Sequence, residues 1–247
     1  MTARIRKNAD VLVVIPAYNE ERNIGTVLRK IHSLPDPPDV VVVNDGSADR
    51  TSEVARGEGA VVIDLPVNLG IGGAVQTGFR YAVRKGYRYA VQLDADGQHD
   101  PEELHRILDP VRAGEVDIAI GSRFVADTGY RAPLMRRVGM VILASFISRI
   151  VGCPVRDSTS GFRAYSRQAF TFLAEHYPVD YPEPEAVVLL ARNGFRIVEV
   201  PVKMHERLNG SSSIDTGRSV YYMIKVLLAV FVESLRARLR AEEGAAA

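Results

Sequence analysis

Two unbroken β-branched runs, "VLVVIPAYNE" (11–20) and "DVVVVND" (39–45), constrain this chain more than any other feature. A strand that is apolar on every residue is buried on both faces, which is the signature of a parallel sheet covered by helices. Between the runs, Ile24, Val27, Leu28 and Ile31 fall on one helical face. The alternation continues. "GAVVIDLP" (59–66) predicts a third strand, "YRYAVQLDAD" (87–96) a fourth and "VDIAIGSRF" (116–124) a fifth. "NLGIGGAVQTGFRYAVRKG" (68–86) and "PEELHRILDPVRAG" (101–114) predict the helices between them. The expected fold is α/β, with a mostly parallel central sheet and helices on both faces.

The second half is less regular. "RAPLMRRVGMVILASFISRIVG" (131–152) reads as one or two helices, and "DSTSGFRAYSRQAF" (157–170) as a polar loop leading into a helix. "YPEPEAVVLLARNG" (181–194) predicts a helix and "FRIVEVPV" (195–202) a strand. "HERLNGSSSI" (205–214) is a polar loop of the kind that can close over a ligand. "VYYMIKVLLAVFVESLRARLR" (220–240) reads as an amphipathic helix, ahead of an Ala-rich tail expected to be disordered. The expected division is a catalytic domain over 1–214 and an appended helix and tail over 215–247.

Composition excludes several classes. A net charge of +1 over 247 residues argues against a nucleic-acid partner. One cysteine, Cys153, rules out an internal disulfide and points to a reducing compartment. "MTARIRKNAD" has no apolar core for a secretory signal, and no apolar run is long enough to predict a spanning helix. The charge is unevenly spread. Eight acids stand against two basic residues from Asp94 to Asp117, and eight arginines against Asp127 and Asp157 from Gly121 to Phe170. That separation fits a site pairing a cation-binding edge with an anion-binding edge.

In parallel sheets ligands bind at the carboxyl ends of the strands. Polar groups follow the strands here at Tyr18-Asn19-Glu20, Asn44-Asp45, Asp94-Ala95-Asp96 and Ser122-Arg123. Asp94 and Asp96, with the amide oxygen of Gln98, offer the hard oxygen ligands that Mg²⁺ or Mn²⁺ prefers. Read alone, the same pair could simply end a strand in a solvated turn. The glycines of "NLGIGGAVQTG" lack both the Walker ending and the dinucleotide fingerprint. They read as packing glycines, with Asn68 near a donor molecule. Arg123, at a strand end, is placed to meet an anion, and Arg136 and Arg137 precede an apolar helix, which suits an amphiphile with a phosphate head. Arg149 can snorkel from its apolar segment. Asp157, close to Ser160, Gly161 and Arg163, reads equally as a cap and as a catalytic acid. For His99 and His205 a surface or core place is favoured over a ligand role.

Taken in order, "VVIPAYNE", "VVVNDGSADRT", "NLGIGGAVQTG", "LDADGQHDPEE", "GSRF", "SGFRAY" and "HERLNGSSSI" resemble the family 2 glycosyltransferases, which have the Rossmann-like GT-A fold. Within that family the chain is most similar to the polyprenyl-phosphate (dolichyl-phosphate) sugar transferases. The resemblance implies that Pro16, Tyr18, Glu20 and Asp45 hold a nucleotide of UDP or GDP type. It implies that Asp94, Asp96 and Gln98 hold Mg²⁺ or Mn²⁺ against the diphosphate, and that Arg207 neutralises that diphosphate. Arg123 and Arg136 would bind the acceptor phosphate, with Asp157 and Asp96 as the catalytic residues. The expected reaction is an inverting transfer from a nucleoside-diphosphate sugar to a polyprenyl phosphate. Transfer to a saccharide or small-molecule hydroxyl, and a non-catalytic sugar-nucleotide-binding subunit, are the rivals. The expected location is the inner face of the cell membrane, with the C-terminal helix on the membrane surface or on a membrane partner protein, or else closing the core or the dimer interface of a homo-oligomer.

Overall fold

A computed structural model describes residues 10–124, 134–205 and 216–236. Its first half is the predicted alternation: β1 (Val11–Ala17), α1 (Ile24–His32), β2 (Asp39–Asn44), α2 (Thr51–Gly57), β3 (Val61–Asp64), α3 (Gly70–Lys85) and β4 (Tyr89–Gln92). A 3-10 turn (Pro101–Glu103), α4 (Leu104–Arg112) and β5 (Ile118–Ser122) complete it. There follow α5 (Leu134–Val151), β6 (Arg163–Ser166), α6 (Arg167–His176), α7 (Pro182–Arg192), β7 (Ile197–Pro201) and α8 (Thr216–Leu235).

The seven strands lie in the order β3-β2-β1-β4-β6-β5-β7. All pairings are parallel except those of β6, which runs antiparallel between β4 and β5. The strand β6 corrects the sequence reading, which took residues 157–170 as a loop entering a helix. Its four residues are too few to show a period, and α6 begins at the next residue, with Ser166 Oγ accepting from Ala169 N at 3.3 Å. Because β6 is antiparallel, the loop before it arrives at the edge where β1, β2, β4 and β5 end.

Alternate residues of β1 separate two cores. Leu12 and Val14 join a cluster formed by α3, α5, α6, α7 and α8. Val11, Val13 and Ile15 join one formed by α1, α2 and α4. The glycines of α3 are contact points: a Cβ on Gly78 would overlap Val14 Cγ1, and one on Gly72 would lie 2.7 Å from Pro178 O. α8 packs against α5 and α7. It buries Val226, Val230 and Glu233 and leaves Leu228, Phe231, Val232 and Leu235 exposed. Among the described residues, no helix is long and apolar enough to cross a membrane.

Candidate active site

The loops after β1 and β2 are knitted together. Asn19, at φ +55°, donates its backbone N–H to Ser47 Oγ (2.9 Å), and its Oδ1 accepts from Ala48 N (2.9 Å). Glu20 N donates to Thr51 Oγ1 at 2.8 Å, and a Glu20 carboxylate oxygen accepts from Asn23 Nδ2 at 2.6 Å. Asp45 is buried, and its Oδ1 accepts from Leu69 N at 2.7 Å. Gly46, at φ +69°, lets the loop before α3 come close, since a Cβ there would sit 2.9 Å from Asn68 N. Asn68 is exposed and its Oδ1 accepts from Gly70 N at 3.0 Å, a turn-forming role.

Beyond β4 the chain makes a tight acidic loop. Asp96 Oδ1 accepts from Gln98 N at 3.0 Å across Gly97, which stands at φ +78°. Asp94 N donates to His99 Nδ1 at 3.1 Å, so that nitrogen carries no proton. The buried His99 ring stacks on Phe162, with centroids 5.1 Å apart and planes at 15°. Burial is the main reason its pKa falls to about 4; Arg123 adds to the fall while Asp96 and Asp157 oppose it. His99 therefore has its core reading, as a neutral prop under Asp94. Gln98 is half-buried; its backbone oxygen accepts from His205 N at 2.8 Å, and His205 Nε2 lies 3.0 Å from Asp100 Oδ2.

A cleft of about 320 Å³ opens at this edge. The β1 side supplies Pro16, Tyr18 and Glu20, β2 supplies Asp45, α3 supplies Ile71 and Ala74, and the acidic loop supplies Asp94 and Asp96. Gln98 is not among its walls. Among the described residues, no three His, Cys, Asp or Glu side chains form a ready-made metal cage. Two carboxylates on one wall are nevertheless the usual protein share of a Mg²⁺-type site whose remaining ligands are water and substrate phosphate oxygens. Gly161 shapes that share. A Cβ on Gly161 would lie 2.5 and 2.6 Å from the two Asp94 carboxylate oxygens, so the carboxylate occupies space that only glycine leaves.

Asp157 stands on the loop before β6, its side chain wholly buried. Arg123 clamps it: Nε donates to Oδ2 at 2.8 Å, Nη2 to Oδ1 at 2.7 Å, and the Arg123 backbone N–H to Oδ2 at 3.0 Å. The strand-end arginine and the acid, which the sequence left in separate motifs, are thus one unit. Arg136 lies within α5, but its side chain and the whole of Arg207 fall outside the described residues.

Three neighbours went without a role in the sequence reading, although Glu183 falls in the stretch "DYPEPEAVV" (180–188) expected near the sugar. Arg163 is 1% exposed and donates to three backbone carbonyls: Ser160 O (2.7 Å), Ser158 O (2.6 Å) and Glu183 O (2.9 Å). Glu183, in the first turn of α7, has its carboxyl pushed above the ordinary range by burial; Arg163 opposes the shift and Asp94 adds to it. Glu199 on β7 accepts from the backbone N–H groups of Arg156 and Asp157. The readable signal for Glu199 was a charge inside an otherwise apolar strand; Arg163, at the start of a strand too short to show a period, carried none.

The glycosyl transferase family 2 sequence model matches residues 12–173. The polyprenol monophosphomannose synthase of Mycolicibacterium smegmatis is 34% identical over 235 residues, covering 91% of this chain and 88% of its own. The undecaprenyl-phosphate mannosyltransferase of Micrococcus luteus is 33% identical over 242 residues, covering 93% and 98%. Among solved structures, glucosyl-3-phosphoglycerate synthase from Mycobacterium tuberculosis, crystallised with Mn²⁺, UDP and phosphoglyceric acid, superposes with a TM-score of 0.70 at 21% identity. That match covers 94% of this chain and 80% of that one, and it extends the likeness to the fold.

Proposed function

Since the chain belongs to glycosyl transferase family 2, we propose that it moves a sugar from a nucleoside diphosphate to a polyprenyl phosphate, with inversion and with a divalent cation. The relatives that act on polyprenol and undecaprenyl phosphates along nearly their full length support that acceptor. Asp45, Glu20 and Tyr18 hold the nucleoside side of the donor in the cleft, and Asp94 and Asp96 face its diphosphate. A divalent ion held by Asp94 and Asp96 supplies Lewis-acid stabilisation of the leaving nucleoside diphosphate. The acceptor phosphate oxygen attacks the anomeric carbon as the bond to the diphosphate oxygen breaks. Arg207, which follows β7 in the sequence, takes up part of the charge on the leaving group.

One observation carries the choice of acceptor: both carboxylate oxygens of Asp157 accept hydrogen bonds from Arg123. A carboxylate so engaged is a poor general base, which a hydroxyl acceptor requires. A phosphate acceptor is already anionic near neutral pH and requires none. It requires a cation, and Asp157 holds the Arg123 guanidinium at the end of β5 to provide one, with Arg136 as its partner. The exposed apolar stripe of α8 supports work at the inner face of a membrane, where such an acceptor resides.

The test uses a panel of radiolabelled UDP-glucose, UDP-N-acetylglucosamine and GDP-mannose with Mn²⁺ and undecaprenyl phosphate, followed by solvent extraction. The expected result is label in the organic phase, dependent on Mn²⁺ and lowered by about a hundredfold or more in Asp96→Ala, on the scale of losing a charge that stabilises the transition state. Label transferred only to water-soluble acceptors, or full activity in Asp96→Ala, would overturn the proposal.

A further inference from the structure

Strand β7 reads Ile-Val-Glu-Val-Pro, with an acid at its centre flanked by valines. A half-buried carboxylate inside a strand is disfavoured by both strand propensity and desolvation, so the position calls for a compensating partner. Glu199 Oε1 has two: it accepts from Arg156 N at 2.7 Å and from Asp157 N at 2.5 Å. The peptide entering Asp157 is thereby held from β7, while the Asp157 carboxylate is held by Arg123 at the end of β5. β5 and β7 are parallel neighbours, with Ile120 opposite Glu199 and Ser122 opposite Pro201. One residue is gripped by two adjacent strands, through its backbone and through its side chain. The loop from 152 to 162 forms no strand; besides the Ser148 hydroxyl, which bonds both backbone groups of Val155, these bonds and those of Arg163 hold its course.

We infer that Glu199 is a positioning residue for the acceptor half of the site: by anchoring the Asp157 backbone it sets where the Asp157–Arg123 pair stands, without touching substrate. The inference rests on the reading that this pair meets the acceptor phosphate. It assigns the work to an acceptor oxygen rather than to a charge. Burial, which pushes the Glu199 carboxyl above its ordinary range, agrees with that assignment.

The experiment compares wild type with Glu199→Gln, Glu199→Ala, Glu199→Met, Asp157→Asn and the Glu199→Ala/Asp157→Asn double variant. It uses undecaprenyl phosphate and whichever donor of the panel is active, and it reads kcat/KM for the acceptor together with KM for the donor. Glu199→Ala and the volume-matched Glu199→Met should lose about tenfold or more in acceptor kcat/KM, with donor KM within about twofold. Glu199→Gln, whose amide oxygen still accepts both N–H groups, should stay within about threefold of wild type. The double variant should be no slower than Asp157→Asn, because residues acting through one another are not additive.

Acceptor kinetics unchanged in Glu199→Ala and Glu199→Met beside an impaired Asp157→Asn would overturn the inference alone. So would donor and acceptor constants declining together, or a double variant slower than Asp157→Asn by the full single loss. Wild-type kinetics in Asp157→Asn would instead overturn the reading of the Asp157–Arg123 pair, and the inference with it.

Discussion

The smallest residue at the edge of the cleft has one of the largest effects on it. Gly161 is not at a positive φ, so its identity is dictated by space: the Asp94 carboxylate lies where its side chain would be. Replacing Gly161 with Ala therefore displaces Asp94, which is short and is tied through its backbone N–H to His99. Gly161→Ala is expected to weaken Mn²⁺-dependent nucleotide binding by about tenfold, roughly 1.4 kcal/mol, while the melting temperature moves by only a few degrees. Calorimetric titration of UDP and GDP with and without Mn²⁺ checks it, and unchanged affinity would show that Asp94 has room to spare. Asp94, Asp96 and Asp45 could be read in the sequence because each follows an apolar run at a strand end. Gly161 could not, because its neighbour in space is 67 positions earlier, counting from Asp94 to Gly161. Glu199 was hidden for the same reason: its partners are Arg156 and Asp157, and nothing local to β7 announces them.

Helix α3 shows the same logic along an element. Glycine inside a helix costs about 1 kcal/mol relative to alanine, so Gly78→Ala would be expected to stabilise an isolated α3. In the fold, a Cβ at Gly78 overlaps the Cγ1 of Val14, a wholly buried β-branched side chain restricted at χ1. Overpacking of this kind costs about 1–3 kcal/mol and outweighs the propensity gain. Gly78→Ala is expected to lower stability by about 1–2 kcal/mol in urea titration. A stabilised variant would mean that α3 can lift from β1. The phosphate-loop appearance of "NLGIGGAVQTG" is thus a packing pattern, which the missing Walker ending had indicated. Strand β6 is the element the sequence concealed. Four residues, one of them the buried Arg163, carry no strand period, and only the pairing of Tyr89 with Ser166 and of Ile118 with Tyr165 reveals them.

Over the whole molecule, the walls of the cleft come from the first hundred residues, and the Asp157–Arg123 pair comes from the end of β5 and the loop before β6. The alternation of strands and helices made the first half legible, since each crossover obeys a local period. The second half depends on contacts between distant segments: α8 lies against α5 and α7, and the loop before β6 meets both β5 and β7. The exposed stripe on α8 permits a test at this scale. Replacing Phe231 and Leu235, 48% and 69% exposed, with serine removes apolar area without opening the core. If α8 lies on a membrane, the double variant should co-sediment with phosphatidylglycerol-containing vesicles about fivefold less than wild type, with nucleotide binding unchanged. Equal sedimentation of the two would show that the stripe takes no part in membrane binding.

The antiparallel insertion of β6 also sets a schedule for the nascent chain. β4 leaves the ribosome complete at Gln92, and the strand that covers its free side begins only at Arg163. At about 5–20 residues per second, those roughly 70 residues take on the order of 4 to 14 seconds to synthesise. Throughout that interval the side of the Tyr-Ala-Val-Gln strand that faces β6 lacks its partner, and the acidic loop lacks Phe162, on which His99 stacks. A chaperone, or a slow codon placed within this window, would act on yield rather than on the finished enzyme.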